Sequence, residues 1–233
     1  MTRCRRALGS IGKLGQRVRP SAPLPVSASL AVVWDTAMLD ATDLNMLDRA
    51  TELFTQVLDS LETATFHRPS ACTDWTMQDV ANHVCGGALR YAHYLRGGMP
   101  DEIAWTRSVD TIGDDPSAAH DKLSAELRTL FAQPGAGTIR AHHSMQTVSG
   151  AELLRMRVAE LAVHAWDMAS SFTPTAEIDN DLAEFLLDRA TPVLLAQREH
   201  GYFAHPEPAQ SGAPASAKLL ALTGRSMPSI RGA

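Results

Sequence analysis

The stretch GAELLRMRVAELAVHAWDMASS, residues 150–171, decides the fold of this 233-residue chain. Apolar residues occupy nearly every side of the helix that this stretch predicts, so the helix belongs inside a bundle. Its polar residues form one strip at steps of three and four: Arg157, Glu160, His164 and Asp167. A buried polar strip needs partners, because an unpaired polar group away from water is costly. The strip therefore predicts a functional face on a buried helix.

Three residues have the pattern of a metal site. Glu160 and His164 are about one helical turn apart, so their side chains project from the same face, about 6 Å apart. His83, in WTMQDVANHV (residues 75–84), offers a third ligand from a second predicted helix. Three N and O ligands leave coordination positions free for water or substrate, as a catalytic ion requires. The alternative is a chance hydrogen-bonded Glu–His pair on an exposed helix face.

Arg157 and Asp167 are the candidate catalytic residues on the same strip. The fork of Arg157 suits a carboxylate of a substrate or a thiol, and an ion pair with Glu160 or Asp167 is the equally weighted alternative. Asp167 is predicted to orient His164 or a neighbouring ligand, as carboxylates beside metal ligands commonly do.

Composition and charge exclude several classes of protein. The chain is 45% hydrophobic, enough for one good core, and it holds no run of about 20 apolar residues that would span a membrane. Three cysteines without a CxxC pair argue against a disulfide scaffold and fit a reducing cytoplasm. Beyond residue 34 the chain carries 15 basic and 26 acidic residues, which argues against nucleic acid as a partner.

The first 37 residues differ in character from the rest. Residues 1–34 hold six Lys or Arg and no acidic residue. We interpret residues 1–37 as a disordered basic arm or as upstream sequence before a misplaced start, with Met38 as the alternative start; a targeting segment is the other reading. Residues 38–233 are expected to form one helical domain.

Apolar periodicity predicts an all-α chain with four main helices. They cover about 43–65, 77–95, 116–131 and 150–171, and a fifth helix kinked at Pro192 and a short terminal helix follow. Thr76 and Asp79 form a capping-box variant before the second helix. The adjacent His142 and His143 are interpreted as exposed loop residues, with an extra metal ligand as the alternative. The expected architecture is an antiparallel four-helix bundle with His83 facing the Glu160/His164 pair inside it.

Three segments carry a family resemblance: CTDWTMQDVANHV (72–84), LLRMRVAELAVHAWDMA (153–169) and LLALTGR (219–225). With them the chain resembles the DinB-like helical-bundle metalloproteins, in the branch similar to the metal-binding domain of actinobacterial mycothiol-dependent maleylpyruvate isomerase. The resemblance implies an antiparallel four-helix bundle and a divalent ion, usually zinc, bound by the equivalents of His83, Glu160 and His164. Trp75 and Trp166 match family positions and are interpreted as packing anchors, and Cys72 as a structural thiol.

The resemblance also implies a chemistry. A low-molecular-weight thiol, mycothiol, would be the co-substrate of a transferase or isomerase acting on a small electrophile. The alternative is a non-catalytic metal-binding or stress-responsive bundle. The isomerase has a further C-terminal domain, which the residues after Glu199 are too few to supply, so the resemblance is closer to short single-domain members. We expect a monomer or a homodimer.

Overall fold

The computed structural model describes residues 38–205 and 209–225. The prediction of a basic arm over residues 1–37 lies outside these ranges. The α-helices of the described part are α1 (Ala41–Asp59), α2 (Met77–Leu95), α3 (Pro116–Phe131), α4 (Gly150–Ala169), α5 (Asn180–Arg189), α6 (Thr191–Glu199) and α7 (Ala215–Leu222). Within these ranges, no helix is both long enough and apolar enough to cross a membrane.

The first four helices form a bundle. Helix α1 packs against α3 and α4, and α2 packs against the same two helices, so the four close into a ring around one hydrophobic core. The remaining regular structure is small: a hairpin of β1 (Arg140–His142) and β2 (Thr147–Ser149) leads into α4, and α5 lies against α7. The predicted all-α four-helix fold is confirmed.

Capping boxes set where the two site-bearing helices begin. The Thr76 hydroxyl accepts the Asp79 backbone N–H at 3.1 Å, and the Asp79 carboxylate accepts the Thr76 backbone N–H at 3.0 Å. Ser149 and Glu152 make the same reciprocal pair before α4. Because each pair satisfies donors that a helix N-terminus leaves unpaired, the starts of α2 and α4 are fixed locally.

Two predicted helices are too long. Helix α1 ends at Asp59, not near residue 65, and a separate 3₁₀ turn covers Thr63–His67. The Ser60 hydroxyl donates to the carbonyl of Val57 at 2.7 Å, a local bond that competes with helix continuation. The predicted fifth helix is split into α5 and α6, because Pro192 in the first turn of α6 has no N–H to continue the ladder from α5.

A buried ion pair missing from the sequence prediction fixes α4 against α1. Arg155 Nε donates to Asp43 Oδ1 at 3.0 Å, and the two side chains are 4% and 0% exposed. Arg189 of α5 reaches the other oxygen of Asp43 at 3.2 Å. The carboxylate at the start of α1 thus pairs with arginines of two other helices, α4 and α5.

Candidate metal centre

The polar strip of α4 lies on one face, as its spacing predicts. Arg157 Nη1 is 2.8 Å from Glu160 Oε2, and His164 Nδ1 is 2.9 Å from Asp167 Oδ2. All four side chains are buried or nearly so in the bundle, and each has found a charged or polar partner along the same helix. The strip therefore consists of two pairs, Arg157 with Glu160 and His164 with Asp167. Glu160 and His164 are the inner members of these pairs along the helix.

Helix α2 brings His83 to this face. His83 Nε2 is 3.1 Å from Glu160 Oε1, and the His83 and His164 rings lie 5.1 Å apart between centroids at 77°. Two atoms that bind one ion at about 2.0–2.1 Å lie roughly 3 Å from each other. The His83–Glu160 separation therefore fits two ligands of one ion, with His164 beside them. His83 remains 34% exposed, so the centre is open to solvent on the α2 side.

The centre has the protonation states that a metal needs. Burial lowers the pKa of His83 to about 4, although Glu160 opposes this shift. Burial alone would raise the pKa of Glu160, but the hydrogen bond from His83 and the charge of Arg157 hold it well below its usual range. A neutral imidazole and an ionised carboxylate at pH 7 are the forms that bind divalent metals.

Gly87 allows the Glu160 carboxylate to approach α2. A Cβ atom at Gly87 would lie 2.9 Å from both carboxylate oxygens of Glu160 and 3.1 Å from Arg157 Nη1. A Cβ at the adjacent Gly86 would meet the backbone oxygen of Thr106 at 2.7 Å. Adjacent glycines inside a helix favour close packing or a kink, and the structure shows close packing at both Gly86 and Gly87.

Arg157 forms an ion pair with Glu160, one helical turn along α4. Its guanidinium is 1% exposed, and Nη1 donates both to Glu160 and to the backbone oxygen of Val84, each at 2.8 Å. Its Nη2 has no hydrogen-bond partner among the described residues. The observed contact is the ion-pair alternative; contact between Arg157 and a substrate carboxylate stays a prediction.

Trp75 packs against the hydrophobic core, as its interpretation as a packing anchor predicts, and it also lies against both candidate histidine ligands. Its ring is 4.8 Å from that of His83 and 6.1 Å from that of His164, between centroids. Asp74, just before it, has φ +69°, a left-handed conformation that Asp tolerates better than most residues. Trp166 is also an anchor: its Nε1 donates to the Ala176 carbonyl at 2.8 Å.

A second set of potential ligand atoms lies behind His164. In the described part of the chain, Cys72, His164 and Asp167 offer ligand atoms that all lie within 4.8 Å of one another, whereas the predicted trio is not such a set. Cys72 is disulfide-bonded in this structure, which corrects the expectation of a structural thiol. Both oxygens of Asp167 accept hydrogen bonds from charged or ring donors. This set is therefore a poorer donor group than His83, Glu160 and His164.

The prediction of exposed loop histidines at 142 and 143 is wrong. His143 is half-buried, and its ring lies within 6.2 Å of the rings of Tyr91, Tyr94 and Tyr202. Burial lowers its pKa to about 4. The β1–β2 hairpin carries this ring next to the tyrosines.

With this geometry in place, the family of the chain can be stated. The model of the mycothiol maleylpyruvate isomerase N-terminal domain matches residues 47–169, more than half of the chain. The chain belongs to this family. The match contains His83, Glu160 and His164, and it ends at the last residue of α4.

The chain is also similar to two curated proteins and to two solved structures. Two Mycobacterium tuberculosis proteins, the uncharacterized proteins MT0763 (strain CDC 1551 / Oshkosh) and Rv0738 (strain ATCC 25618 / H37Rv), are each 25% identical over 77% of this chain and 95% of their own length. The crystal structure of mycothiol-dependent maleylpyruvate isomerase matches with a TM-score of 0.51 and 20% identity, over 62% of this chain. The match spans 66% of the isomerase chain, just under two thirds, and a point mutant of that enzyme matches equally.

Proposed function

We propose that this protein binds one divalent metal ion through His83, Glu160 and His164, and that it acts with a low-molecular-weight thiol on a small electrophile. The observation that carries the proposal is the meeting of α2 and α4, where His83 Nε2 and Glu160 Oε1 are 3.1 Å apart beside the ring of His164. Family membership supports mycothiol as the thiol. Zinc is the ion that the sequence resemblance implies.

The residues present have distinct roles in this proposal. A divalent ion, when bound, lowers the pKa of a thiol and so makes thiolate available at neutral pH. His83 and His164 supply neutral nitrogens and Glu160 supplies the one carboxylate, so the three ligands leave a net positive site that favours an anion. Arg157 holds Glu160 in place, and Asp167 holds His164. The indole of Trp75 packs against both histidine rings.

The thiol and the electrophile define the reaction class. The thiolate adds to an activated double bond. If the addition reverses after rotation about the former double bond, the protein is an isomerase. If the addition persists, the protein is a transferase. In both cases the electron pair of the thiolate forms the S–C bond while the π pair of the double bond moves onto the activating group. In the isomerase that pair re-forms the double bond after rotation, and the S–C bond breaks to release the thiolate. In the transferase the carbon takes up one proton and the S–C bond persists. We also propose the cytoplasm as the location, because a pool of low-molecular-weight thiol there would supply the co-substrate.

The first test is metal content. We expect about one zinc-like equivalent in wild-type protein purified without chelator, and its loss in His83→Ala and Glu160→Ala. His93→Ala is the matched control, because His93 lies on the same helix and its Nε2 pairs with Glu102 at 3.0 Å, but on an exposed surface. Cys72→Ser should also keep the metal. Retention of metal in His83→Ala, or its loss in Cys72→Ser alone, would assign the ion to the other ligand set.

The second test is thiol chemistry. Wild-type protein with zinc and mycothiol should consume a generic electrophile such as a chlorinated dinitrobenzene faster than His83→Ala, while His93→Ala should match wild type. Equal rates for wild type and His83→Ala, with metal present only in wild type, would leave the non-catalytic metal-binding bundle as the function.

A further inference from the structure

The LLALTGR segment, a resemblance motif with no role so far, reaches the candidate metal centre through its last residue. Arg225 Nε donates to Asp167 Oδ1 at 2.9 Å, and Arg225 Nη2 donates to Asp167 Oδ2 at 2.7 Å. The two side chains are 4% and 0% exposed. This is the two-pronged geometry that makes Arg–carboxylate pairs both strong and directional.

The other residues of the segment direct Arg225 towards α4. Leu220 is fully buried, and the Thr223 hydroxyl donates to its carbonyl at 3.1 Å. Gly224 follows with φ +73°, and a Cβ there would lie 2.6 Å from the backbone oxygen of Ala204. Only glycine fits both this conformation and this approach. The chain therefore turns sharply after α7, and Arg225 enters the core.

Asp167, the carboxylate that pairs with Arg225, also accepts a hydrogen bond from the candidate metal ligand His164. Asp167 Oδ2 accepts from both Arg225 Nη2 and His164 Nδ1, the latter at 2.9 Å. A carboxylate acceptor at Nδ1 keeps the proton on that nitrogen and leaves the Nε2 lone pair available. The orientation of His164 is thus set by a carboxylate whose own orientation is set from the C-terminal end of the described chain.

We propose that Arg225 is a positioning residue for the metal centre, acting through Asp167 on His164. This inference rests on the proposed function, because it takes His164 as a metal ligand. The family match ends at residue 169, so Arg225 contributes from outside the matched domain, 58 positions beyond Asp167. In this proposal the metal site therefore depends on the segment that follows α7 as well as on the matched domain.

The test compares zinc affinity of the full chain with that of Arg225→Ala, Asp167→Ala and the double variant, by competition with a chromogenic chelator. Loss of a partner that orients a metal ligand typically weakens metal binding about 10–100-fold. We expect a loss in that range for each single variant, and no further loss in the double variant, because both act on one path. Arg225→Lys, which restores charge without the fork, should recover only part of the affinity.

A second readout needs no metal. In the metal-free wild type, nitrogen-15 NMR of His164 should show Nδ1 protonated and Nε2 unprotonated, and Arg225→Ala should shift this towards a mixture of tautomers. Arg189→Ala is the matched control, since it removes an arginine that pairs with Asp40 and Asp43 at the other end of α4, and it should change neither readout.

The outcomes separate the two proposals. Wild-type affinity and an unchanged tautomer in Arg225→Ala would overturn the role of Arg225, as would additive losses in the double variant. If Arg225→Ala does not fold, Arg225→Lys decides by the same two readouts. If the wild type binds no zinc, the proposed function fails, and the His164 tautomer still decides whether Arg225 positions that ring.

Discussion

Replacement of Gly87 by alanine separates the stability of α2 from the function of the metal centre. The added Cβ would lie 2.9 Å from both oxygens of Glu160, whereas ordinary contacts begin near 3.4 Å, so the carboxylate must retreat by about 0.5 Å. Metal–ligand distances tolerate only about 0.2 Å. Because the atoms that must move are side-chain ends, and alanine gains about 1 kcal/mol over glycine in a helix, stability should change little.

We therefore expect Gly87→Ala to keep a melting temperature within a few degrees of wild type and to lose about 10-fold or more in zinc affinity. Chelator competition and differential scanning calorimetry on the same preparation give the two numbers.

The neighbouring glycine provides the control. A Cβ at Gly86 would meet the Thr106 backbone oxygen at 2.7 Å and the Arg90 guanidinium at 3.0 Å, rather than the carboxylate of Glu160. Gly86→Ala should therefore lower the melting temperature, since backbone cannot retreat cheaply, and should keep most of the zinc affinity. The reasoning is refuted if Gly87→Ala binds zinc as wild type does, or if the two variants change both quantities alike.

Three further outcomes follow from contacts already described. Asp43→Asn leaves the Arg155 guanidinium buried without its anion and should lower the free energy of unfolding by about 3–5 kcal/mol in urea titrations, with metal content unchanged. Burial lowers the pKa values of His83, His120 and His143 to about 4, 3 and 4, so the unfolded chain binds more protons below its histidine pKa near 6.5. The free energy of unfolding should then fall as the pH drops from about 6.5 to 4. His120→Gln should reduce the slope of this fall by up to about 1.4 kcal/mol per pH unit, and an unchanged slope would refute the lowered pKa of His120. Stripping the metal should lower the melting temperature only slightly if the site is catalytic and preformed, and by well over 10 °C if the ion mainly holds α2 to α4, as calorimetry of paired samples would show.

The sequence predicted what local patterns determine. Helix α2 has the predicted bounds, because the Thr76–Asp79 box starts it and Gly97, at φ +83°, follows its end. The polar strip on α4 needed only helical spacing. These features depend on residues close together in the chain, where propensity and periodicity are reliable guides.

What the sequence did not predict depends on pairs far apart in the chain. The Asp43–Arg155 ion pair joins residues 112 positions apart, and the Asp167–Arg225 pair joins residues 58 apart. Each arginine looks in isolation like an ordinary surface charge, because nothing in its local pattern indicates a buried carboxylate partner. The place of Trp75 was missed for the same reason: its neighbours His83 and His164 meet only once two helices pack.

The position of Trp75 makes its fluorescence a probe of the candidate metal centre. The chain has four tryptophans; within the described ranges Trp105 is 54% exposed and Trp166 lies in the core, donating to a backbone carbonyl away from the two histidines. Trp75 alone among these three has its indole against both histidine rings. Its emission should therefore be quenched when a paramagnetic ion such as Co²⁺ or Cu²⁺ enters, so occupancy can be followed in real time without any label.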